Sequence, residues 1–193
     1  MADDTVLRLK ITLVGSKPPI WRRVIVPVSL TLADLHWVIQ IAMGWENSHL
    51  HDFDVSGKRF TEFEEDIQAG TGDSTAVTLR SLKLNKEGRT FHYNYDFGDG
   101  WLHKIAVESS GPAEDPAQIP VCVTGRRACP PEDCGGVHGY QFLLEAVSDP
   151  RHPEHEELSE WLDPEFDPEA FDAGQVNRTL GRVFSEGGWA PVN

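Results

Sequence analysis

Alternating apolar and polar side chains mark several short strands in this sequence. The first runs from Leu7 to Leu13, where leucine and isoleucine alternate with charged or hydroxyl residues. This period of two is typical of a strand with one buried face. A second strand is predicted over Ile20–Val26, after an extended Pro18-Pro19 elbow, and a third over Leu50–Val55.

The stretch from Phe91 to Glu108 has the most regular pattern of the chain. Its rings share one parity: Phe91, Tyr93, Tyr95 and Phe97. Gly98 and Gly100 flank Asp99 and allow the backbone to reverse, after which residues 101–108 predict a returning strand. We therefore expect a β-hairpin with an aromatic buried face and an acidic tip.

Helical periodicity follows the second strand and returns near the C-terminus. Thr31 with Asp34 has the pattern of a helix N-cap, and Gly44 is suited to the C-cap. Residues 62–78 lack a period and predict a mobile loop, and Cys122–Gly136 predicts a loop ordered by its prolines and glycines. Further helices are predicted over Tyr140–Val147, over Pro153–Leu162 and from Asp167-Pro168 onward.

These elements predict an α+β fold. We expect a mixed or antiparallel sheet of about five strands, a β-grasp-like β-β-α-β start and an acidic helical extension at the C-terminus. Residues 1–110 would form the sheet domain. Residues 111–193 would supply the proline- and glycine-rich loop and the helices, packed on the same core to give one domain overall.

The formal charge of −14 is unevenly distributed. From Glu132 to Asp172 there are 13 acidic residues and one basic residue, Arg151. Because such a segment repels phosphate groups, DNA binding by this chain alone is disfavoured. We find no apolar run long enough for a membrane span and no signal peptide in residues 1–4, so we expect a cytoplasmic protein.

Several motifs resemble those of a known bacterial family. They are Pro18-Pro19-Ile20-Trp21-Arg22-Arg23, Leu35-His36, Ile39 to Trp45, His49 to Phe53, Tyr95 to Trp101, and Cys129 to Asp133 with Gly135-Gly136 and Gly139-Tyr140. Over nearly its whole length the chain resembles the family named for the third open reading frame of a root-inducing plasmid. Some relatives carry the label of a transposon-associated resolvase, so the resemblance implies a mobile-element setting. It implies no particular reaction.

Histidines and aspartates around the hairpin suggest a divalent metal site. The candidate ligands are His49, His51, Asp96, Asp99 and His103, completed by Glu132 or Asp133. His49 and His51 are two residues apart on a predicted strand and should face the same side. Imidazole nitrogen with carboxylate oxygen suits zinc, manganese or iron. The alternative is that these groups bond one another and nearby arginines, and so hold the loops together.

Cysteines offer a second candidate site, for zinc. Its residues would be Cys122, Cys129, Cys134 and His138. The chain has no Cys-x-x-Cys pair, the usual element of structural zinc sites, and burial as small apolar residues is the alternative. Four charged residues are expected in ion pairs, either structural or within the site: Arg22, Arg23, Glu132 and Asp133.

Motifs of common enzyme classes are absent from the sequence: it has no Gly-x-Ser-x-Gly, no phosphate loop and no dinucleotide fingerprint. Six tryptophans and proline-fixed loops favour a recognition surface, although such rings also fill cores. We therefore expect a non-catalytic binding or regulatory module with a protein or peptide partner. The alternative is a divalent-metal-binding protein or metal-dependent hydrolase. A shared site requires the hairpin tip to lie against the segment that carries Glu132.

Overall fold

A computed structural model describes residues 5–84, 89–115 and 119–185. The expectation that there is no signal peptide concerned residues 1–4, and these residues lie outside the described ranges. The strands are β1 (Thr5–Leu13), β2 (Trp21–Pro27), β3 (His51–Val55), β4 (Lys58–Thr61), β5 (Gly72–Asp73), β6 (Thr90–Tyr95), β7 (Trp101–Pro112) and β8 (Val121–Arg126). The helices are α1 (Leu32–Met43), α2 (Glu64–Gln68), α3 (Gly136–Ser148), α4 (His155–Trp161) and α5 (Ala173–Ser185).

The described residues form a mixed α+β structure around one sheet of eight strands. Its order is β5-β4-β3-β6-β7-β1-β2-β8, and every neighbouring pair is antiparallel except β4 with β5. The five strands expected from the sequence are present, and β4, β5 and β8 are additional. The grasp-like start is not confirmed, because β3 pairs with β4 and β6 and is separated from β1 by β6 and β7.

One face of the sheet is buried beneath α1. Leu7, Leu9 and Ile11 of β1 are fully buried, as the alternation predicts. Helix α1 begins with a capping box, in which the Thr31 hydroxyl accepts from the Asp34 N–H at 3.0 Å. It ends at Gly44, which has a left-handed backbone with φ of 100°. The predicted helix is thus confirmed at both ends.

Residues 62–78, expected to form a mobile loop, contain α2 and β5. The carbonyl groups of Ser74 and Val77 accept hydrogen bonds from the first residues of α1, at 3.2 and 3.1 Å. This segment is therefore tied to the helix that lies over the sheet. The aperiodic sequence gave no sign of it, since a two-residue strand and a five-residue helix are too short to show a period.

Strand β8 occupies part of the segment expected to be a loop. Residues 121–126 pair with β2, so the irregular loop begins only at Arg127. Helix α5 lies against the outer edge of β8, where the Asn177 side chain accepts from the Cys122 N–H at 2.7 Å and donates to its carbonyl at 2.9 Å. This amide imitates a neighbouring strand and covers the sheet edge.

Helix α5 begins later than the sequence suggested. Asp167 accepts a hydrogen bond from the Glu169 N–H at 2.9 Å and forms only a turn, whereas Asp172 accepts from the Gly174 N–H at 2.7 Å, next to the helix start. Among the described residues, no helix combines the length and the apolar character that a bilayer span requires.

Candidate metal centre at the hairpin tip

The turn between β6 and β7 directs one carboxylate oxygen of Asp96 away from the hairpin. The Asp96 backbone is left-handed, with φ of 55°, and its carbonyl accepts from the Gly100 N–H at 2.6 Å. Its Oδ1 accepts from the Gly98 N–H at 2.9 Å. This Asx-type turn fixes the side chain and leaves Oδ2 directed toward His49, 3.8 Å from the ring Nε2.

The proline- and glycine-rich loop lies directly on this hairpin tip. The Gly135 N–H donates to Asp99 Oδ2 at 3.0 Å. At Gly136 the approach is so close that an added Cβ would lie under 3.0 Å from the Asp99 carbonyl oxygen. Farther along the loop, the Trp45 indole donates to the Pro130 carbonyl at 3.1 Å. The contact on which a shared site depends is therefore present.

His49 is surrounded by carboxylates from both segments. Its Nε2 lies 3.2 Å from Asp133 Oδ1, 3.5 Å from Glu132 Oε2 and 3.8 Å from Asp96 Oδ2. This nitrogen is buried, yet it has no hydrogen-bond partner among the described residues. Ligand atoms of His49, Asp96 and Asp133 all lie within 4.8 Å of one another. Even a protonated imidazole would leave three carboxylates facing one positive charge, so the site favours an additional cation.

Hydrogen bonds from neighbouring residues orient Glu132. Its Oε1 accepts from the Tyr95 hydroxyl at 2.9 Å and from the Glu46 N–H at 2.8 Å. The Tyr95 hydroxyl in turn accepts from the Ser48 N–H at 2.9 Å. Burial, reinforced by Glu132, raises the pKa of Tyr95, so the phenol stays a donor. Glu132 Oε2 is left to face His49.

Each of the three segments that form the site contains a non-glycine residue with a left-handed backbone. These are Asn47, Asp96 and Asp133, with φ of 58°, 55° and 58°. Asparagine and aspartate tolerate this conformation best, but it still costs about 1–2 kcal/mol per residue. Such conformations persist where the surroundings enforce them, and they concentrate at binding and catalytic sites.

The ligand set expected from the sequence is divided among several places. His49 and Asp96 come together, with Glu132 and Asp133 beside them. Asp99 instead binds the Gly135 N–H. His51 is the first residue of β3, whereas His49 precedes the strand, so the two do not share one strand face as the spacing suggested.

Two of the expected ligands are core histidines. His103 is fully buried on β7, with its ring centroid 5.1 Å from that of Trp45. His51 is buried against His36 of α1. Burial lowers the pKa of each ring, His51 and His103, to about 4, so both are neutral at physiological pH. The sequence did not reveal that His36 lies against His51 or that Tyr95 binds Glu132, because these contacts join distant segments.

The two adjacent arginines point to opposite sides of β2, as expected. Buried Arg22 donates to the carbonyls of Ala42, Trp21 and Arg126 at 2.6, 2.9 and 3.1 Å. It thereby connects the sheet to the C-terminus of α1, and the C-terminus is the end of a helix that favours a cation. Arg23 forms a bidentate pair with Glu108 at 2.6 and 2.8 Å.

The candidate zinc ligands are not brought together in the part of the chain that the structure describes. Cys122, Cys129, Cys134 and His138 do not supply three ligand atoms within 4.8 Å of one another. Cys122 is buried on β8, and the other two cysteines are partly buried in the following loop. Burial raises the pKa of all three thiols, that of Cys134 to about 12, which disfavours the thiolate that zinc requires.

The sequence profile of the plasmid pRiA4b ORF-3-like proteins matches residues 5–175. The chain belongs to this family. An ORF-3-like relative, the uncharacterized protein y4hQ of Sinorhizobium fredii (strain NBRC 101917 / NGR234), is 40% identical over 187 residues, which are 96% of this chain and 95% of that protein. These matches confirm the resemblance seen in the motifs.

A solved structure of similar fold comes from an archaeon. The crystal structure of MM3350, a protein of unknown function from Methanosarcina mazei Go1, has a TM-score of 0.79 and 37% sequence identity to this ORF-3-like chain. The similarity covers 88% of this chain and 96% of that one. The relatives found are uncharacterised, so the function must be inferred from the site.

Proposed function

We propose that the protein binds a divalent metal ion at the hairpin tip. The ligands are His49, Asp96 and Asp133, and Glu132 is a fourth donor held in position by Tyr95. The observation that carries the proposal is the buried Nε2 of His49, which has three carboxylate oxygens within 3.8 Å and no hydrogen bond to any described residue. One imidazole with two or three carboxylates suits zinc, manganese or ferrous iron.

The site is open to solvent on one side. The Asp133 side chain is 74% exposed, whereas that of Asp96 is 10% exposed. A metal ion bound here would keep water or substrate on its open side, which is the arrangement that activates water for hydrolysis. Hydrolysis is therefore the class of reaction to assay once metal binding has been measured.

Calorimetric titration of chelator-stripped, tag-free protein with Zn²⁺ and Mn²⁺ tests the proposal. Asp133→Asn and His49→Gln should each weaken the hairpin-tip site about tenfold or more, since each removes a ligand. The matched control is Asp99→Asn, in which the amide oxygen still accepts from the Gly135 N–H. This control should bind as tightly as the wild type. Undetectable metal binding, or unchanged affinity in both ligand variants, would refute the proposal.

A protein- or peptide-binding module is the second candidate function. Leu50 and Phe97 follow directly after His49 and Asp96, and their side chains are 50% and 46% exposed. The Leu50 carbonyl accepts from the Asp96 N–H at 2.9 Å, so the two segments are joined beside the candidate metal site. Exposed apolar side chains around a polar site favour a recognition surface. The plasmid in the family description supports a mobile-element setting for this role.

Pull-down from a bacterial lysate, followed by mass spectrometry, tests this second candidate. A partner that uses this surface should be recovered by the wild type and lost with Phe97→Ser. The control is Trp161→Ser, because Trp161 lies on α4 and is equally exposed, at 50%. Equal recovery by the wild type and both variants would show that the Leu50–Phe97 surface takes no part.

A further inference from the structure

A second group of metal-binding side chains lies where α1 crosses β3. The rings of His36 and His51 are stacked, with centroids 3.6 Å apart and planes 8° from parallel. Both ring nitrogens of His51 are buried and have no hydrogen-bond partner among the described residues. Leaving a buried polar atom without a partner costs about 1–3 kcal/mol, so such an atom in a native fold calls for an explanation.

The hydrogen bonds of His36 fix its ring. The Asn47 N–H donates to Gln40 Oε1 at 3.0 Å, which directs the Gln40 amide nitrogen to the Tyr93 hydroxyl at 2.9 Å. Tyr93 therefore donates its own proton to His36 Nδ1 at 2.8 Å, and the His36 Nε2–H donates to Asn47 Oδ1 at 3.0 Å. His36 is a neutral ring in a closed network, and burial lowers its pKa to about 2.

Glu62 completes the group from the residue after β4. It is half-buried, and burial raises its pKa. One carboxylate oxygen of Glu62 and one ring nitrogen each of His36 and His51 lie within 4.8 Å of one another. The partly exposed Glu62 also gives an ion a way in from solvent.

We propose that His36, His51 and Glu62 form a second, buried site for a transition-metal ion of the zinc class. Two imidazoles and one glutamate are a ligand set that zinc and ferrous iron accept. Coordination would use the free lone pair of His51 and the carboxylate of Glu62. His36 would exchange its Asn47 hydrogen bond for the metal. Because Nε2 carries the ring proton in the metal-free network, the ring would change tautomer, and Nδ1–H would then donate to the Tyr93 hydroxyl, as metal-bound histidines usually keep a partner.

Coordination requires the His51 ring to turn as well as a local contraction. The two rings are parallel and their lone pairs lie in the ring planes, so both can point at one ion only when His51 leaves the stack. Ligand atoms around tetrahedral zinc are about 3.3 Å apart, given metal–ligand distances of roughly 2.0–2.1 Å. The three ligand atoms are within 4.8 Å before any ion is bound, and Glu62 is partly exposed. This site shares no ligand with the hairpin tip, so it is independent of the proposed function.

Zn²⁺ titration of chelator-stripped, full-length, tag-free protein counts the sites. We expect two tightly bound equivalents for the wild type and one for Glu62→Gln, which keeps the side-chain volume but should bind the second equivalent about tenfold or more weakly. The control is Glu64→Gln, an exposed acid two residues away on α2 that should retain both equivalents. In parallel, Co²⁺ substitution should give visible absorption that Glu62→Gln reduces and Glu64→Gln does not.

Titrating the single variant Asp133→Asn beside Glu62→Gln distinguishes the two proposals. If Asp133→Asn loses one equivalent while Glu62→Gln binds like the wild type, the buried site is refuted and the hairpin-tip site stands. If only Glu62→Gln loses an equivalent, the buried site stands and the proposed function fails. His51→Phe provides a second check: it removes the unpaired nitrogens, so the metal-free protein should fold, while the second equivalent should be lost. Retention of that equivalent in His51→Phe would overturn the inference.

Discussion

Alanine variants of Gly136 and Gly100 give a matched comparison of how tightly the loop packs on the hairpin tip. Both have a left-handed backbone, with φ of 69° and 68°. A Cβ at Gly136 would lie under 3.0 Å from the Asp99 carbonyl oxygen, whereas a Cβ at Gly100 would have nothing within 4 Å. Alanine at either position therefore strains the backbone equally, but only Gly136→Ala also forces the loop away from the hairpin.

The expected magnitudes follow from these contacts. A left-handed alanine costs about 1–2 kcal/mol, partly offset by about 0.4–1 kcal/mol because the unfolded chain is less flexible. Gly100→Ala should thus destabilise the protein by about 1 kcal/mol. Gly136→Ala should also lose the hydrogen bond from the Gly135 N–H to the Asp99 carboxylate, worth about 1.5–3 kcal/mol, for a total near 3 kcal/mol. At this chain length the melting temperature should fall by about 6–12 °C.

Urea unfolding and thermal melts of the two variants in chelator check this expectation. Zn²⁺ titration of the folded variants should show in addition that Gly136→Ala weakens the hairpin-tip site more than Gly100→Ala does. If both variants lose the same stability, the loop does not press on the hairpin. The juxtaposition of Asp133 and His49, on which the proposed function depends, would then be wrong.

Two further predictions concern the core and the sheet edge. Because burial lowers the pKa of His51 and His103 to about 4, below the value of about 6.5 in the unfolded chain, stability should be complete above pH 6.5 and fall as the pH drops toward 4. Free energies of unfolding from urea titrations in chelator at pH 7 and pH 5 should differ by about 2 kcal/mol per histidine, and equal values would contradict this. Asn177→Ala should cost about 1–3 kcal/mol by removing both hydrogen bonds to Cys122, whereas Arg178→Ala, on an exposed side chain, should cost under about 1 kcal/mol. Similar losses in urea unfolding would argue against the edge-covering role of Asn177.

The parts of the fold that were predictable have strong local patterns. Strands β1, β2, β3, β6 and β7 show alternation, and α1 has both a capping box and a C-cap glycine. Strand β8 has no such signal, because its sequence Val121–Arg126 does not alternate between apolar and polar residues and contains a glycine. Its pairing depends on β2 and on Asn177, more than 50 residues away.

The candidate sites were predictable only in part, for a similar reason. The sequence identified His49, Asp96 and Asp133 as chemically suitable, and the hairpin–loop contact was a requirement that the structure meets. It grouped His51 with His49 because it assumed that both lie on one strand, whereas β3 begins only at His51. The neighbours of His51 come from α1 and from the residue after β4, and no local spacing relates these segments.

The side-chain amide that covers β8 has a consequence for association between molecules. Without α5, the outer edge of β8 would present unpaired N–H and C=O groups to solvent beside the exposed Val123. Such an edge recruits a strand from another copy, and repetition of that step leads to dimers or fibrils. Helix α5 therefore protects the outer edge of β8 from pairing with another chain, a role separate from any ligand that the protein binds.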